Sequence, residues 1–464
     1  MPPLCCLGVV MSLNRLERRA AIALALVFAS RMLGLFMVLP VFALYAGDYA
    51  GATPDLIGLA IGAYGASQAL LQIPFGVWSD RFGRKPLIYI GLLLFALGSM
   101  VAASADHIAW VIAGRAIQGA GAISSVVLAL LSDLTRPQRR TTAMAIVGGV
   151  IALSFTLSMV AGPLLAPKVG LSGLFWLTAA MAVGGMLLVR LLVADVPPLQ
   201  AADAVAEPQR LPQLLRDGQL LRLNAGVLIL HLLMTATFVA LPGWLLAAGW
   251  AKGDQGWLYL LGLVASFLLL WPLLKLAKRH GTLPLLRLCQ LLLAAVALGL
   301  ALVAPSMAAA VTLLVVFFTA FNYLEASLPA LLSRMAPAGA RGSAMGLYST
   351  AQFGGAFIGG AGGGLLLHHG SSQTLFIVLA LLALVWSWLS RGLKAVDGLK
   401  VVNYHLGPSL RDEAALCREL QQLDGVVEVR ALVAAATLYL KVNVDEFDSS
   451  AAHAVIDRYS RAPS

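Results

Sequence analysis

The amino-acid sequence predicts an all-α polytopic membrane protein with twelve transmembrane helices in two six-helix repeats, followed by a small α+β domain. Mean hydropathy is +0.86, and charged residues make up only 12% of the chain, about half their share in soluble globular proteins. Apolar runs of the roughly 20 residues that a spanning helix needs recur along the chain. After residue 391 the pattern changes to short alternating segments.

Twelve stretches are long enough to span a bilayer, and they are apolar on nearly every face, whereas helices of soluble proteins carry an apolar stripe. The predicted spans are 20–46, 56–78, 86–104, 107–132, 141–166, 171–194, 223–249, 255–276, 282–303, 306–333, 342–368 and 371–391. The predicted domains are an N-terminal segment (1–19), a six-helix bundle (20–194), a linker (195–222), a second six-helix bundle (223–395) and a C-terminal domain (396–464).

Basic residues are distributed unevenly between the predicted loops. With the N-terminus inside, twenty lysines and arginines fall on cytoplasmic segments, and only Lys168 and Lys252 fall on the opposite side. Basic residues concentrate in the cytoplasmic loops of membrane proteins, so both termini and the linker are predicted to be cytoplasmic. The net charge of +10 therefore orients the chain in a lipid membrane, and we expect no nucleic-acid partner.

The beginning of the chain is too short for a signal peptide. Met11 directly precedes the basic segment that should flank the first span, so we expect Met11 rather than Met1 to be the true start. The cysteines show neither disulfide nor zinc spacing, and we predict no metal site and no cofactor. They are Cys5, Cys6, Cys289 and Cys417.

The two predicted bundles carry matching segments. The LLS of 130–132 and Arg140 recur as the LLS of 331–333 and Arg341, at a shift of 201 residues. A second match, at a shift of 202, pairs Phe36, Leu39 and Pro40 with Phe238, Leu241 and Pro242. The halves are therefore predicted to be parallel repeats with a solute site between them; the alternative is chance similarity between Leu- and Ala-rich segments.

The C-terminal domain shows the alternation of half-buried strands. Strands are predicted at 399–406, 426–432 and 436–443, and helices at 410–423 and 449–460. This β-α-β-β-α order is typical of a ferredoxin-like module. A domain of about 65 residues is marginally stable alone, so we expect it to pack against the membrane domain or to self-associate.

The loop between the second and third spans carries a specific motif. Residues 76–86 read GVWSDRFGRKP and resemble the G-x-x-x-D-R-x-G-R-K signature of the major facilitator superfamily. Residues 114–122 (GRAIQGAGA) resemble the family's R-x-x-Q-G-x-G-A motif, and Gly162-Pro163 resembles the start of its antiporter motif, from which residues 164–167 (LLAP) depart. The resemblance covers 15–395 and implies a secondary transporter of a bacterial inner membrane, not an enzyme.

The resemblance also implies that the 76–86 loop is a conformational latch. Asp80 would lie near the start of helix 11, around 341–345, so the cluster would form only when the halves close on the cytoplasmic side. The alternative, ordinary cytoplasmic loop charges, does not account for an acidic residue between two glycines. The implied latch residues are Gly76, Asp80, Arg81, Gly83, Arg84 and Asp133; Gly162 and Pro163 would kink helix 5.

Few ionisable residues lie within the spans, namely Arg31, Arg115, His231 and Glu325. A midspan charge costs roughly 2.5–3.5 kcal/mol, and neutralising a carboxyl at neutral pH costs about 4 kcal/mol. Because these costs are similar, Glu325 is predicted to exchange a proton. The resemblance links Arg115 to proton coupling. The alternatives are a permanent ion pair at Glu325, with Arg31 as its expected partner because the resemblance places helix 1 beside the central cavity, and a purely structural hydrogen bond at His231.

Seven further side chains near midspan are candidates for a substrate cavity, although the polar ones could equally join helices. They are Phe36, Gln72, Phe155, Phe238, Asn322, Gln352 and Phe357. The chain has no Walker motif, so we predict proton-coupled export of small amphiphilic compounds. The alternatives are a proton-coupled importer of a sugar or organic acid, and a non-transporting sensor that signals a bound ligand through the C-terminal domain.

Overall fold

A computed structural model provides the structure of the protein. It describes residues 13–136, 139–193, 211–337, 340–394, 398–405, 412–432, 437–443 and 446–460. Both candidate start residues, Met1 and Met11, and most of the predicted linker lie outside these ranges.

Six helices form the first bundle. They are α1 (Arg15–Tyr45), α2 (Pro54–Phe82), α3 (Arg84–Ala103), α4 (Ile108–Ala120), α5 (Ser124–Asp133) and α6 (Arg140–Leu192). The fourth predicted span consists of α4 and α5, with an interruption at 121–123. The 53 residues of α6 would measure about 80 Å at 1.5 Å per residue. Gly170, with φ of 65°, divides this length into the fifth and sixth spans.

Seven helices follow in the second half. They are α7 (Leu211–Leu214), α8 (Gly218–Ala247), α9 (Gln255–His280), α10 (Thr282–Leu302), α11 (Met307–Met335), α12 (Arg341–His369) and α13 (Ser372–Leu389). Helix α8 begins before the predicted boundary at residue 223. The cause is Asp217, whose carboxylate accepts hydrogen bonds from the backbone N–H groups of Gln219 and Leu220 and so caps the helix start.

The predicted polytopic fold is confirmed. Within the described ranges, ten helical segments are long and apolar enough to cross a membrane. Helix α6 counts once among these ten segments but contains two of the predicted spans. Helix α12, with 29 residues, is long enough to be the twelfth span. Nine glycines lower the hydropathy of α12. Equivalent turns mark the two halves, since Gly83 joins α2 to α3 with φ of 92° and Gly281 joins α9 to α10 with φ of 86°.

The two halves meet where α2 begins and α12 ends, a region that we call the gate end (residues 54–65 and 353–369). A Cβ atom built on Gly62 would lie 2.7 Å from the carbonyl oxygen of Phe357, and one on Gly65 would lie 2.6 Å from that of Phe353. Only glycine permits backbones to approach so closely. The first and second bundles are therefore in direct backbone contact at the gate end.

At the opposite end of the bundle, which we call the motif end, lies the 76–86 loop. A Cβ atom on Gly76 would meet only the Oγ atom of Ser125, at 3.6 Å. Helix α12 thus touches α2 at Gly65 but contributes no atom within 4 Å at Gly76. Gly76 lies about three helical turns after Gly65, on the same face of α2. Helix α12 therefore contacts this face at the gate end and no longer contacts it at Gly76.

The C-terminal domain has the predicted β-α-β-β-α order. Strand β3 lies between β1 and β2 and is antiparallel to both, so β1 and β2 run parallel with a helix crossing between them. The elements are β1 (Leu399–His405), α14 (Glu413–Gln421), β2 (Val426–Leu432), β3 (Thr437–Asn443) and α15 (Ser449–Ser460). Its core is formed mainly by leucines of α14 and β3 and aliphatic residues of α15.

The domain docks on the second bundle through a buried lysine. Lys441 of β3 is 8% exposed, and its Nζ atom donates a hydrogen bond to the carbonyl oxygen of Met335, 3.0 Å away at the end of α11. The last carbonyl groups of a helix lack an intrahelical partner, so Met335 offers this donor a free acceptor. Of the two expected arrangements, packing against the membrane domain is present; self-association stays a prediction.

We expect Lys441→Ala to loosen this docking. The substitution leaves the carbonyl oxygen of Met335 without its donor, and a buried polar group left without its partner costs about 1–3 kcal/mol. Trypsin cleavage after the exposed Lys394 should therefore accelerate by about tenfold or more, measured by gel densitometry, whereas the exposed surface variant Arg418→Ala should change it little. An unchanged cleavage rate would contradict the docking role.

The same lysine predicts a pH dependence of docking. Burial lowers the pKa of Lys441 from its ordinary value. The docked state has the lowered pKa and the undocked state the ordinary one. At pH values between the two, the undocked domain binds more protons than the docked domain, so docking should strengthen as the pH rises through this window. The cleavage rate of the unmodified protein should fall accordingly, and that of Lys441→Ala should not.

Candidate functional site

Three polar side chains from three helices of the second bundle meet near midspan. They are His231 of α8, Glu325 of α11 and Gln352 of α12. The Nε2 atom of His231 lies 3.6 Å from Oε2 of Glu325. The Nε2 atom of Gln352 lies 2.8 Å from Nε2 of His231 and donates a hydrogen bond of 3.3 Å to Oε1 of Glu325. The structure therefore brings together three of the predicted site residues.

The hydrogen bonds of this cluster define one position for an exchangeable proton. Nδ1 of His231 lies 3.2 Å from the carbonyl oxygen of Val227, so the hydrogen of a neutral ring belongs on Nδ1 and Nε2 is left as an acceptor. In that form Nε2 accepts from the amide of Gln352. A second proton on Nε2 would turn the contact with Glu325 into an ion pair and would require the Gln352 amide to rotate and present its oxygen.

The two titratable groups differ in exposure. The side chain of His231 is 9% exposed and that of Glu325 is 39% exposed, although Glu325 lies in the middle of a membrane-length helix. Its Oε2 atom is buried and accepts no hydrogen bond from any residue in the described ranges, so the exposed part of the side chain lies elsewhere on the group. A proton or a polar ligand can thus reach the Glu325 side chain more readily than it can reach His231.

Aromatic rings connect the cluster to the first bundle. Phe36 of α1 meets Phe155 of α6 at 4.8 Å between ring centroids, and Phe155 stacks on Phe321 of α11 at 6.2 Å. Phe321 in turn meets the ring of His231 at 6.0 Å. Phe36 and Phe155 were expected here. Phe321 was not, although its position four residues before Glu325 places it on the same helical face.

The predicted pairing of Arg31 with Glu325 is wrong in this structure. Arg31 is 2% exposed and donates hydrogen bonds within the first bundle, to the side chains of Ser124, Tyr64 and Gln68 at 3.2, 3.0 and 3.0 Å. Three neutral acceptors of its own half therefore hold the guanidinium, and the basic neighbour of Glu325 is His231 instead.

Arg115 is also buried within the first bundle. It donates to the side chain of Gln118 at 3.1 Å and to backbone carbonyls of α2. Its guanidinium carbon lies 5.2 Å from the centre of the Tyr64 ring, whose hydroxyl accepts from Arg31. Arg31 and Arg115 therefore share Tyr64, a residue that the sequence did not single out, and neither contacts the Glu325 cluster.

Two of the remaining predicted cavity residues, Phe238 and Gln72, are buried inside separate bundles. Phe238 is fully buried between Tyr259 and Phe317 inside the second bundle, so its predicted position on the cavity is wrong. Gln72 is 2% exposed and accepts a hydrogen bond from Gln68, which makes it part of the Arg31 network.

Two other candidates lie at helix interfaces. Asn322 of α11 donates to Ser266 of α9 at 2.9 Å. Phe357 is half-buried, and its carbonyl faces Gly62 at the gate end. The side chain of Asn322 therefore joins helices, which was the alternative role for a polar candidate, and Phe357 does so through its backbone.

The acidic and basic residues of the motif loop form a cluster within the first bundle. Arg84 pairs with Asp80 and, at 3.2 Å between Nε and Oδ2, with Asp133; it also donates to Oγ of Ser79 at 2.6 Å. Asp133 is 2% exposed, whereas Arg81 is exposed. Gly83 makes the tight turn between α2 and α3.

This cluster differs from the expectation in one respect. The Asp80–Arg84–Asp133 contacts are already formed although no atom of α12 lies within 4 Å of a Cβ atom built on Gly76. They therefore do not require closure at that end, because all three residues belong to the first bundle.

Gly162 and Pro163 lie within α6, where the backbone departs from helical φ and ψ only at Gly170 among the described residues. The kink at Gly162 and Pro163 stays a prediction. A Cβ atom on Gly162 would collide with the carbonyl group of Met37, so this glycine serves the close packing of α6 on α1.

We expect Arg84→Gln to destabilise the first bundle by about 2 kcal/mol, because it leaves the buried carboxylate of Asp133 without its cation. Arg81→Gln is the matched control, since this neighbouring side chain is exposed, and its effect should stay within about 0.5 kcal/mol. Thermal unfolding in detergent measures both. Equal effects of the two variants would contradict this account.

Comparisons with known proteins agree with the geometry. The model of the Major Facilitator Superfamily matches residues 24–360 and 223–403. The inner membrane transport protein YajR of Escherichia coli (strain K12) is 39% identical over 430 residues, which cover 92% of this chain and 94% of that protein. The multidrug resistance protein MdtH of Aeromonas hydrophila is 29% identical over 74% of this chain and 86% of its own.

Solved structures share the fold. A crystal structure of the nucleoside transporter NupG superposes with a TM-score of 0.66 at 13% identity, covering 80% of this chain and 99% of that one. At this identity the likeness extends to the fold alone.

Proposed function

The chain belongs to the major facilitator superfamily, and from this premise we propose that it is a proton-coupled exporter of small amphiphilic compounds. It is a multi-pass membrane transporter. The proposal of proton coupling rests on the Glu325–His231–Gln352 cluster, and that of export is supported by the likeness to a multidrug resistance protein.

The cluster can couple proton movement to substrate because its two charge states favour different neighbours. With neutral His231 and ionised Glu325, the partly exposed carboxyl group, whose buried Oε2 atom accepts no hydrogen bond from the described residues, can receive a proton or the polar group of a substrate. The cost of a midspan charge, roughly 2.5–3.5 kcal/mol, offsets most of the cost of protonating a carboxyl at neutral pH, about 4 kcal/mol. The two ligands compete for one carboxylate, and such competition exchanges a proton for a substrate across the membrane.

The aromatic rings beside the cluster indicate the kind of substrate. Phe36, Phe155 and Phe321 form a continuous apolar surface from the first bundle to the second. A compound with an apolar body and a polar or cationic group would place its body on these rings and its polar group at Glu325. Both halves would contact it, so their rocking motion would carry the site from one side to the other.

The orientation and the roles of the outer parts belong to the same proposal. The positive-inside distribution supports a cytoplasmic motif end, C-terminal domain and termini, which makes this conformation inward-facing. In the opposite state, α12 would approach Gly76 and the Asp80–Arg84–Asp133 cluster, so that the motif loop acts as the cytoplasmic latch. The ferredoxin-like domain, docked on α11 through Lys441, would act as a regulatory module.

A second candidate function, import of an organic acid, is favoured by one observation. Arg31 is buried with neutral partners and, within the described ranges, without a carboxylate at ion-pair distance; its Nε atom has no hydrogen-bond partner there. An anionic substrate could supply the missing charge. Arg31 is already held by three acceptors and closed to solvent, however, which favours the first candidate.

The proposal is tested in proteoliposomes that contain a trapped pH-sensitive dye. Aromatic cations, uncharged aromatics and aromatic carboxylates are compared under an imposed pH gradient. We expect cations or uncharged amphiphiles to move against the direction of proton flow. Movement of carboxylates together with protons would favour the second candidate, and the absence of any coupled proton flux across the panel would contradict proton-coupled transport of these classes.

A further inference from the structure

Asp55 and His368 face each other across the boundary between the two bundles. Asp55 lies in the first turn of α2 and His368 in the last turn of α12. Nδ1 of His368 is 2.9 Å from Oδ1 of Asp55, and the two side chains are 38% and 36% exposed. Protons on the gate side of the membrane can therefore reach the pair directly.

The helix ends around the pair favour its charged form. A carboxylate is stabilised at the N-terminus of a helix and a cation at the C-terminus, and Asp55 and His368 occupy these two ends. Oδ1 of Asp55 accepts no hydrogen bond from the residues that the structure describes. His368 is thus the group that neutralises this oxygen.

The pair can exist only while the gate end is closed. Directly beside it, a Cβ atom on Gly364 would lie 2.6 Å from the carbonyl oxygen of Pro54. Separation of α2 from α12, which an outward-facing state requires, moves Asp55 away from His368. Formation of the pair and closure of the gate end are therefore the same event.

We propose that Asp55 and His368 form a pH-sensitive latch that holds the gate end closed when His368 is protonated. Histidine changes its charge between about pH 5 and 8. Acid on the gate side would then favour the closed gate, and neutral or alkaline medium would release it. The inference rests on the proposed alternation of the two halves and goes beyond it, because it adds a control of the gate that is separate from the Glu325 cluster.

A second histidine contacts the pair. The ring of His369 meets that of His368 edge-on at 4.7 Å, and a charge on it would oppose a charge on His368. The neighbouring parts of α8 and α13 contribute the uncharged Ala236, Val239 and Thr374. Lys252 is engaged elsewhere at the gate end, on the carbonyl oxygen of Leu44 and the ring of Tyr45.

The test measures the distance between the two bundles on the gate side. Spin labels are attached at Ser104→Cys and Pro305→Cys, in exposed loops of the first and second bundle, after replacement of the native cysteines. Electron–electron resonance in nanodiscs, without substrate, gives the ratio of open to closed populations at pH 5.5 and pH 8. We expect His368→Gln to raise this ratio roughly two- to fivefold at pH 5.5, the range for exposed ion pairs, and by less than about twofold at pH 8.

Two comparisons make the result specific. Asp55→Asn should act like His368→Gln, and the double variant should add nothing further, because both remove the same contact. His369→Gln keeps the pair and should not raise the ratio. An unchanged ratio for His368→Gln at pH 5.5, or an equal rise at both pH values, would overturn the latch. Since no substrate is present, failure of the proposed export activity would leave this measurement intact.

Discussion

Glu325→Gln is expected to abolish uphill, proton-driven transport while leaving the protein folded. Glutamine keeps the size of the side chain and can still contact Gln352, but it neither binds nor releases a proton. Proton flux coupled to substrate should fall by at least about tenfold, which corresponds to about 1.4 kcal/mol. Dye-loaded proteoliposomes with an imposed pH gradient measure this flux directly.

Substrate exchange without a gradient separates coupling from binding. With the same compound on both sides, Glu325→Gln should retain exchange, because rocking of the halves does not need a net proton transfer. Glu325→Asp is the matched control, since it preserves a titratable group and should keep part of the coupled flux. Unchanged proton coupling in Glu325→Gln would show that the cluster does not carry the proton.

His231 should modulate this reaction rather than perform it alone. Its ring is less exposed than Glu325 and is held on both nitrogens, by Val227 and Gln352. We therefore expect Glu325 to exchange protons with water and His231 to be its charge partner. This order of importance rests on exposure and contacts.

Gly62→Ala is expected to impair transport by opposing closure of the gate end. The added methyl group would lie 2.7 Å from the carbonyl oxygen of Phe357 in the other bundle, and overpacking of this kind costs about 1–3 kcal/mol. A change of that size shifts the balance of the two states by about 5- to 150-fold. The spin-label distances across the gate side should move to the open population, and flux should fall in parallel.

Gly362→Ala is a close control for this substitution. It lies on α12, and a Cβ atom there would meet nothing within 4 Å. Both substitutions exchange glycine for alanine inside a helix and should raise intrinsic helix stability by the same amount, roughly 1 kcal/mol. A loss of closure in both variants, or in neither, would mean that the backbone contact at Gly62 does not govern the gate.

The sequence predicted the spans well because hydropathy is summed over about twenty residues and needs no knowledge of neighbours. The second-to-third span turn at Gly83 and the strands and helices of the C-terminal domain were likewise predictable from local pattern. The continuous helix at 140–192 shows what hydropathy does not reveal. Its two spans are evident from length alone, whereas the dividing turn at Gly170 is visible only in the backbone angles.

Side-chain partners were far less predictable. Arg31 was the expected partner in an ion pair with Glu325 because the family resemblance places helix 1 beside the central cavity, but Arg31 is held by Tyr64, Gln68 and Ser124. Phe238 was expected on the cavity and lies in the core of the second bundle. In a membrane span nearly every face is apolar, so no amphipathic stripe reveals which side of the helix faces a partner, a cavity or lipid.

By itself, therefore, the sequence determined that the chain is a twelve-span membrane protein with a C-terminal α+β domain, and it predicted the orientation through its loop charges. Hydropathy and loop charge act locally and leave their mark on each segment separately. Only the tertiary structure decided that Glu325 meets His231 and Gln352, that Arg84 joins Asp80 to Asp133 in one bundle, and that the halves touch at Gly62. Those contacts depend on how helices distant in the chain pack together, and packing leaves no local pattern.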